Sequence, residues 1–406
     1  MRHPALLCAL LLPACVDERP QDTVPADTSD TADTAAPDPS TRCGAMPAGL
    51  DTAFEAVLQD FPDVPGMVVA VWDPQIGPAV AAYGLASRDS GTPMTAEAVF
   101  DIGSVHKLFK WIALEQLAAS GQISHDDTLE SHVSQPVIPG ATVQHLTQHA
   151  TGMVDIGSNF YVQVYDAYLS GSLPEGYTYD EVMAFLAAEQ GDGVTAGVID
   201  GFPVGAAFNY SSYGPVVAAE IIEDTVGVSV NAYIQQSIID TLELDSTTFI
   251  GGDRPERLVQ GHGDPYSDGA ASPVAQLPTE IARVVSSAHR GALFSTACDL
   301  VHFSHAISDP GEGFLTAETI QSRHDAPLDV AGFYNVGRGV MNYHGFGAGD
   351  LWGHGGDGMH GHSSMIGYNH GSKNAVVVLV NLDSLYIQDD FSLHWSVFSA
   401  FNAAQE

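Results

Sequence analysis

The first strongly apolar positions of the chain fall into two short runs, Met67-Val68-Val69-Ala70-Val71-Trp72 and Ala79-Val80-Ala81-Ala82-Tyr83, parted by Asp73-Pro74-Gln75-Ile76-Gly77. Apolar runs on either side of a Pro- and Gly-containing break predict a hairpin. Near the other end, Ser363 to Tyr368 and Ala375 to Leu382 flank a second break, His370-Gly371-Ser372-Lys373-Asn374, and Phe391 to Ala404 has a helical period. The middle is helical. Val105 to Ala119 is apolar almost all round and stops at Gly121, which marks a buried helix with a C-terminal glycine. Further helices are predicted over Thr142 to His149, Tyr213 to Val226, Val230 to Ile239 behind a Ser229 cap, and from Thr296 through Ile307, where Thr296-Ala297-Cys298-Asp299 has a capping-box pattern. Gly152 to Gly205, with many glycines and acidic residues, reads as a mobile loop rim.

Strands, then helices, then strands predict an α+β fold, with a mostly antiparallel sheet closed by the first and last segments. Helices flank that sheet, and a mostly helical subdomain is inserted at about residues 105–275. No internal repeat and no second linker interrupts residues 43–406, which read as one large unit or two interleaved ones, and as a monomer.

The segment before that unit has little to bury. Met1 to Cys15 opens with Arg2, runs apolar from Ala5 to Leu12 and ends Leu12-Pro13-Ala14-Cys15, the layout of a secretory signal. A cysteine directly after a small residue resembles a bacterial lipobox. That resemblance implies loss of residues 1–14 and a lipid on Cys15, hence a membrane-anchored protein of the cell envelope, facing the periplasm or the cell surface. An ordinary signal peptide with an incidental cysteine is the alternative. Residues 15–42, rich in Thr, Asp and Pro, are expected to form a disordered tether.

Charge removes some function classes. The 406 residues carry 13 Lys+Arg against 50 Asp+Glu, a net −37, so phosphate backbones and anionic lipids are repelled and nucleic-acid partners are excluded. Of four cysteines, Cys43 and Cys298 belong to the folded unit, and a disulfide or a buried free thiol are both open.

Candidate chemistry begins at Gly103-Ser104-Val105-His106-Lys107, at the start of the buried helix. A three-residue step puts Ser104 and Lys107 on one helical face. Burial depresses an ammonium's pKa and lets the amine act as a base toward a hydroxyl, while the helix N-terminus favours negative charge developing on the serine. The bland alternative is a capping serine beside a snorkelling lysine. Farther on, Tyr210 in Phe208-Asn209-Tyr210-Ser211-Ser212 precedes an apolar helix, from which a tyrosine can reach the serine oxygen and relay its proton. The stretch Trp352-Gly353-His354-Gly355-Gly356-Asp357-Gly358 lets backbone approach a ligand closely, so an N–H just past the glycines can serve as a second oxyanion donor.

Five blocks, FDIGSVHKLFKWIALEQLAASGQISHDDTL, TVQHLTQHATGM, FNYSSYGPVVAAEIIEDTVGVSV, RGALFSTACDLVHF and WGHGGDGMHGHSSMIGY, occur in this order. In order and spacing they resemble the serine β-lactamase and penicillin-binding protein family, specifically its class C β-lactamase, DD-carboxypeptidase and esterase branch. The resemblance implies a DD-peptidase/β-lactamase-like fold, with Ser104 as acylated nucleophile, Lys107 as its partner and Tyr210 as second general acid or base. It also implies that His354-Gly355-Gly356 forms the strand facing the cleft. Ser212 stands where the lactamases usually have Asn, and His354 where many members have the lysine that recognises a substrate carboxylate.

A largely neutral His354 weakens recognition of anionic substrates. Hydrolysis of a small ester or amide is therefore expected ahead of DD-carboxypeptidase or β-lactamase activity, with a sensor that does not turn over as a further alternative. The expected division of labour has Lys107 and Tyr210 removing the Ser104 proton, and Tyr210 and His354 protonating the leaving group or water. The N–H groups of Ser104 and Asp357 hold the oxyanion, and Ser212, Gly355 and Gly356 line the substrate. No cofactor or metal is called for. Histidines 354, 360 and 362, with 344 and 370 nearby, offer a metal site as a weaker alternative, because they lack a matched carboxylate and a helical pair. His149 is expected to satisfy carbonyls at a helix end.

Overall fold

In the computed structural model, Gly66–Asp73 and Gly77–Ser87 form the expected antiparallel hairpin, as do His362–Asn369 and Asn374–Val380. The structure describes residues 42–405 except 135–137, 157, 192, 253, 264–271, 274–277, 326, 331, 333, 347–348 and 385–390. The expected signal, Cys15 and nearly all of the tether lie outside the described residues.

The two hairpins join through Asn374–Val380 and Gly66–Asp73, so the chain's early and late strands meet at the centre of one sheet. Trp352–Gly358 adds beside His362–Asn369, followed outward by Val340–Asn342, Tyr334–Gly337 and Leu328–Val330. These pairings are antiparallel. The parallel exception is the two-residue strand Gly44–Ala45 on the opposite edge, beside Ala79 and Val80.

The central strands are continuous apolar runs because both sheet faces are covered. Met67, Val69, Val71, Val376, Val378 and Val380 point to one side, under the helices Ala48–Gln59 and Ser392–Ala403. Val68, Ala70, Val377 and Leu379 point to the other, into the larger core built with His106–Ala119, Gly214–Val226 and Ala297–Ala306.

Several helices differ from expectation for identifiable reasons. The helix predicted through His149 ends at Thr147, because His149 takes a left-handed φ of 51°. Val230–Ile234 is α-helical but continues as a π turn over Gln235–Ile239. Only half of the capping box forms: Thr296 accepts from the Asp299 N–H, while the Asp299 carboxylate accepts from Ser246 N–H and Thr247 Oγ1 instead. Gly152 to Gly205 holds two helices, Ser158–Leu169 and Tyr179–Ala188, whose Phe160, Val164, Val182, Met183 and Leu186 join the larger core. It is therefore not simply a mobile rim. Cys43 and Cys298 are bonded to each other, which closes the alternative of free thiols.

Candidate active site

Ser104 sits in the 3-10 turn Gly103–Val105, which runs straight into His106–Ala119. Asp101 anchors this turn: its Oδ1 accepts the Gly103 N–H at 3.0 Å and its Oδ2 accepts from His360 Nδ1 at 2.9 Å. Burial alone would raise the Asp101 pKa, but the His360 and Gly103 bonds outweigh it and hold the carboxyl below its usual range. Gly103 has φ +48°, and a Cβ there would strike the Asp357 backbone, 2.6 Å from its nitrogen. Only glycine lets the turn and the strand approach this closely.

One helical step on, Lys107 is 2% exposed and its Nζ donates to Ser104 Oγ at 2.6 Å. Burial pulls the Lys107 pKa down to about 8, against the opposing pull of the Asp155 and Asp357 charges. A substantial neutral fraction thus exists near physiological pH. Tyr210 also interacts with Ser104, and its ring centroid lies 5.2 Å from Lys107 Nζ. Burial raises the Tyr210 pKa well above that of a free phenol, so its hydroxyl stays protonated.

His149 holds the Tyr210 loop, a role its place at a predicted helix end did not reveal. Its ring stacks on Tyr210 with centroids 4.5 Å apart, its Nδ1 accepts the Ser211 N–H at 3.2 Å, and its carbonyl accepts the Asn209 N–H at 2.7 Å. Nδ1 can accept only when unprotonated, and burial holds the His149 pKa well below the usual histidine value. Asp155 Oδ1 secures the far side of the loop through the Ser212 N–H at 2.5 Å and also accepts from Ile156 N–H at 2.8 Å. Ser212 is thus tied down through its backbone, and it lines the cleft.

The strand Trp352–Gly358 pairs along its whole length with His362–Asn369, but on its other edge only Trp352 and Gly353 pair with Val340–Asn342. From His354 onward that edge is released to the cleft. Gly355 N–H points along it to the Tyr343 hydroxyl at 3.2 Å. Two residues on, the strand period aims the Asp357 N–H the same way. A Cβ on Gly356 would lie 2.6 Å from the Ser104 nitrogen. The Ser104 and Asp357 amides are therefore close neighbours.

His354, 3% exposed, lies on this strand and in the cleft wall, its ring 6.2 Å from that of Tyr210. Nδ1 faces the Gly355 carbonyl, so it carries the proton, and Nε2 is buried without a hydrogen-bond partner among the described residues. Burial and the nearby Lys107 lower the His354 pKa to about 4. In this tautomer Nε2 accepts hydrogen bonds rather than donating them, which limits the expected part of His354 as a proton donor.

The cavity over Ser104 is about 550 Å³. Its apolar wall comes from separated segments and was not visible in the sequence: Phe208, Tyr343, Phe346, Phe391 and Trp395, with Phe346 and Trp395 stacked 4.8 Å apart. The other histidines go separate ways. His360 serves Asp101, His362 Nδ1 accepts the Asp101 N–H at 2.9 Å, His344 meets Asn342, and His370 meets His324. Among the described residues, Cys43, Cys298 and His302 converge as three ligand-type residues, with both sulfurs consumed by the disulfide.

A serine bonded to a buried lysine, with a tyrosine beside them and a released strand edge along the cleft, defines the cleft of a serine acyl-transfer fold. The beta-lactamase family model matches residues 54–393, and the chain belongs to that family. Among solved structures it is similar to a D-amino acid amidase from Ochrobactrum anthropi SV3, complexed with L-phenylalanine amide, at 21% identity and TM-score 0.71 over 88% of this chain and 100% of that one. It is also similar to an octameric penicillin-binding protein homologue from Pyrococcus abyssi, at 24% identity and TM-score 0.68 over 89% of this chain and 78% of the other. A D-stereospecific amidohydrolase from Streptomyces sp. matches at 23% identity and TM-score 0.68, over 87% of this chain and 97% of its own. At these identities the likeness is one of fold.

Proposed function

We propose that this chain hydrolyses a small ester or amide through an acyl-enzyme on Ser104. The observation that carries the reading is Lys107 Nζ at 2.6 Å from Ser104 Oγ, with Tyr210 beside them in the cleft. Neutral Lys107 takes the Ser104 proton as Oγ attacks the acyl carbon, and the Ser104 and Asp357 N–H groups receive the oxyanion. The proton passes through Tyr210 to the leaving alcohol or amine as its bond to carbon breaks. Water then attacks the ester, aided by the same Lys107–Tyr210 pair, and Ser104 takes back its proton as the acid leaves. The amidase neighbours support amides as one substrate class. We further infer that Cys15 is lipidated and the domain envelope-anchored, a reading supported by the lipobox-like N-terminus.

The test is hydrolysis of a short p-nitrophenyl ester by the purified chain and by Ser104→Ala, with intact mass recorded after mixing with the ester and with a penicillin. Ester turnover lost in Ser104→Ala, with an acyl adduct on the parent protein, is expected. Turnover that survives Ser104→Ala overturns the reading. A slowly cleared penicillin adduct would move the assignment to the cell-wall branch, and adducts without turnover would move it to a sensor. Radiolabelled palmitate should enter the full chain in cells and fail to enter Cys15→Ser; equal labelling would overturn the anchor.

A further inference from the structure

We infer that the Ser104 cleft selects an acyl donor carrying a positively charged amine and rejects anionic donors, a statement that rests on the acyl-enzyme reading above. The cleft wall contains the carboxylates of Asp155 and Asp357, and no arginine or lysine is among its described lining residues. Both aspartates are exposed, and both act electrostatically on Lys107 and Tyr210, so a substrate seated at Ser104 lies within their field. Asp155 is fixed in position by the Ser212 and Ile156 N–H groups on its Oδ1. Asp357 is likewise held, its Oδ1 accepting the Ser384 N–H at 3.1 Å.

An independent observation points to the same ligand chemistry. His354, a residue of the cleft wall, is 3% exposed, its protonated Nδ1 is turned to Gly355 O, its Nε2 is buried without a hydrogen-bond partner among the described residues, and burial keeps the ring uncharged. Two carboxylates beside an uncharged imidazole complement a group that donates hydrogen bonds and bears positive charge, which an ammonium does and a carboxylate does not. The stacked Phe346 and Trp395 faces add an apolar wall that also favours cations. Lys107, the cation nearest the serine, is 2% exposed and engaged with Ser104, so it does not compensate a substrate carboxylate. At longer range the net −37 enriches cations around the molecule.

Three matched substrates test this: the p-nitroanilide of phenylalanine with a free α-amine, its N-acetyl derivative and its N-succinyl derivative, each as D and L enantiomers. All are assayed at pH 7 with the full chain, beside the generic ester. The expected order of kcat/KM is free amine above N-acetyl above N-succinyl, by about tenfold per step at low ionic strength, narrowing as salt screens the field. Asp155→Asn and Asp357→Asn retain an oxygen for the backbone N–H groups and remove only the charge. Each should shrink the free-amine to N-acetyl ratio by about threefold, and the double variant should bring it near parity. Any change in Lys107 acts on all three substrates alike and cancels in the ratio. Equal rates for free-amine and N-acetyl substrates, or a ratio untouched by both substitutions, would overturn the inference. Ser104-dependent turnover of the ester without turnover of any anilide would overturn it too, while leaving the acyl-enzyme reading standing. Ester turnover independent of Ser104 would remove that reading itself.

Discussion

Lys107 loses the hydration of its ammonium inside a helix that is apolar almost all round, and no carboxylate among the described residues bonds it directly to restore what burial takes away. Its pKa therefore falls to about 8, and only the neutral amine can take the Ser104 proton. The expected consequence is a kcat/KM that rises about tenfold per pH unit on the acid side and levels above a midpoint near 8. His354, at about 4, adds no inflection between pH 5 and 9. Asp155→Asn should move the midpoint down, because it removes a charge that stabilises the ammonium. An acid limb centred near the ordinary histidine value, or one indifferent to Asp155, would take the base role from Lys107. The stability sign follows from the same shift. With a folded value near 8 against 10.5 unfolded, the unfolded chain binds more protons between those values. The cost of burying Lys107 is thus complete below pH 8 and is relieved as pH rises through that window.

The Gly103–Val105 turn and the Trp352–Gly358 strand meet backbone to backbone, and glycine makes the meeting possible. In Gly356→Ala the new methyl would strike the Ile102 carbonyl and sit 2.6 Å from the Ser104 nitrogen, neither of which can swing aside like a side-chain tip. The two elements must part, and the Ser104 and Asp357 amides part with them. A kcat loss of about 10²- to 10³-fold is expected, the usual cost of one misplaced oxyanion donor. Gly355→Ala should cost much less, because its methyl meets the flexible end of Met365 at 2.9 Å. Steady-state kinetics with a thermal melt separate the two cases; full kcat in a folded Gly356→Ala would mean these amides do not form the hole. At this scale the sequence was legible where one segment carries its own pattern: the two hairpins, the helix after Ser104 and the Ser104–Lys107 step. It failed where a feature depends on segments far apart. The left-handed His149 under Tyr210, the carboxylate of Asp155 and the aromatic wall from Phe208 to Trp395 are assembled by tertiary packing. Glycine-rich composition likewise hid the apolar faces of Ser158–Leu169 and Tyr179–Ala188.

Across the whole molecule, one covalent bond bears on how the acidic chain stays closed. Cys43 and Cys298 are 255 residues apart, and their bond fastens the start of the folded unit to the first turn of Ala297–Ala306, on the sheet face that carries the larger core. Arg42 reinforces the junction through the carbonyls of Leu242 and Glu243. Cross-linking so long a loop lowers the entropy of the unfolded chain, for a contribution on the order of 2–5 kcal/mol. A net −37 opposes compaction, and that repulsion is strongest when little salt is present. The Cys43→Ser, Cys298→Ser double variant should therefore melt several degrees below the parent, with the deficit largest at low ionic strength. Ester hydrolysis at 25 °C should be unchanged, because neither cysteine lines the Ser104 cavity. Melting curves with and without a phosphine reductant, over a salt series, check both parts. A parent protein whose melting temperature ignores both reductant and substitution would mean that the core on the two sheet faces, rather than the bond, holds the first segment in place.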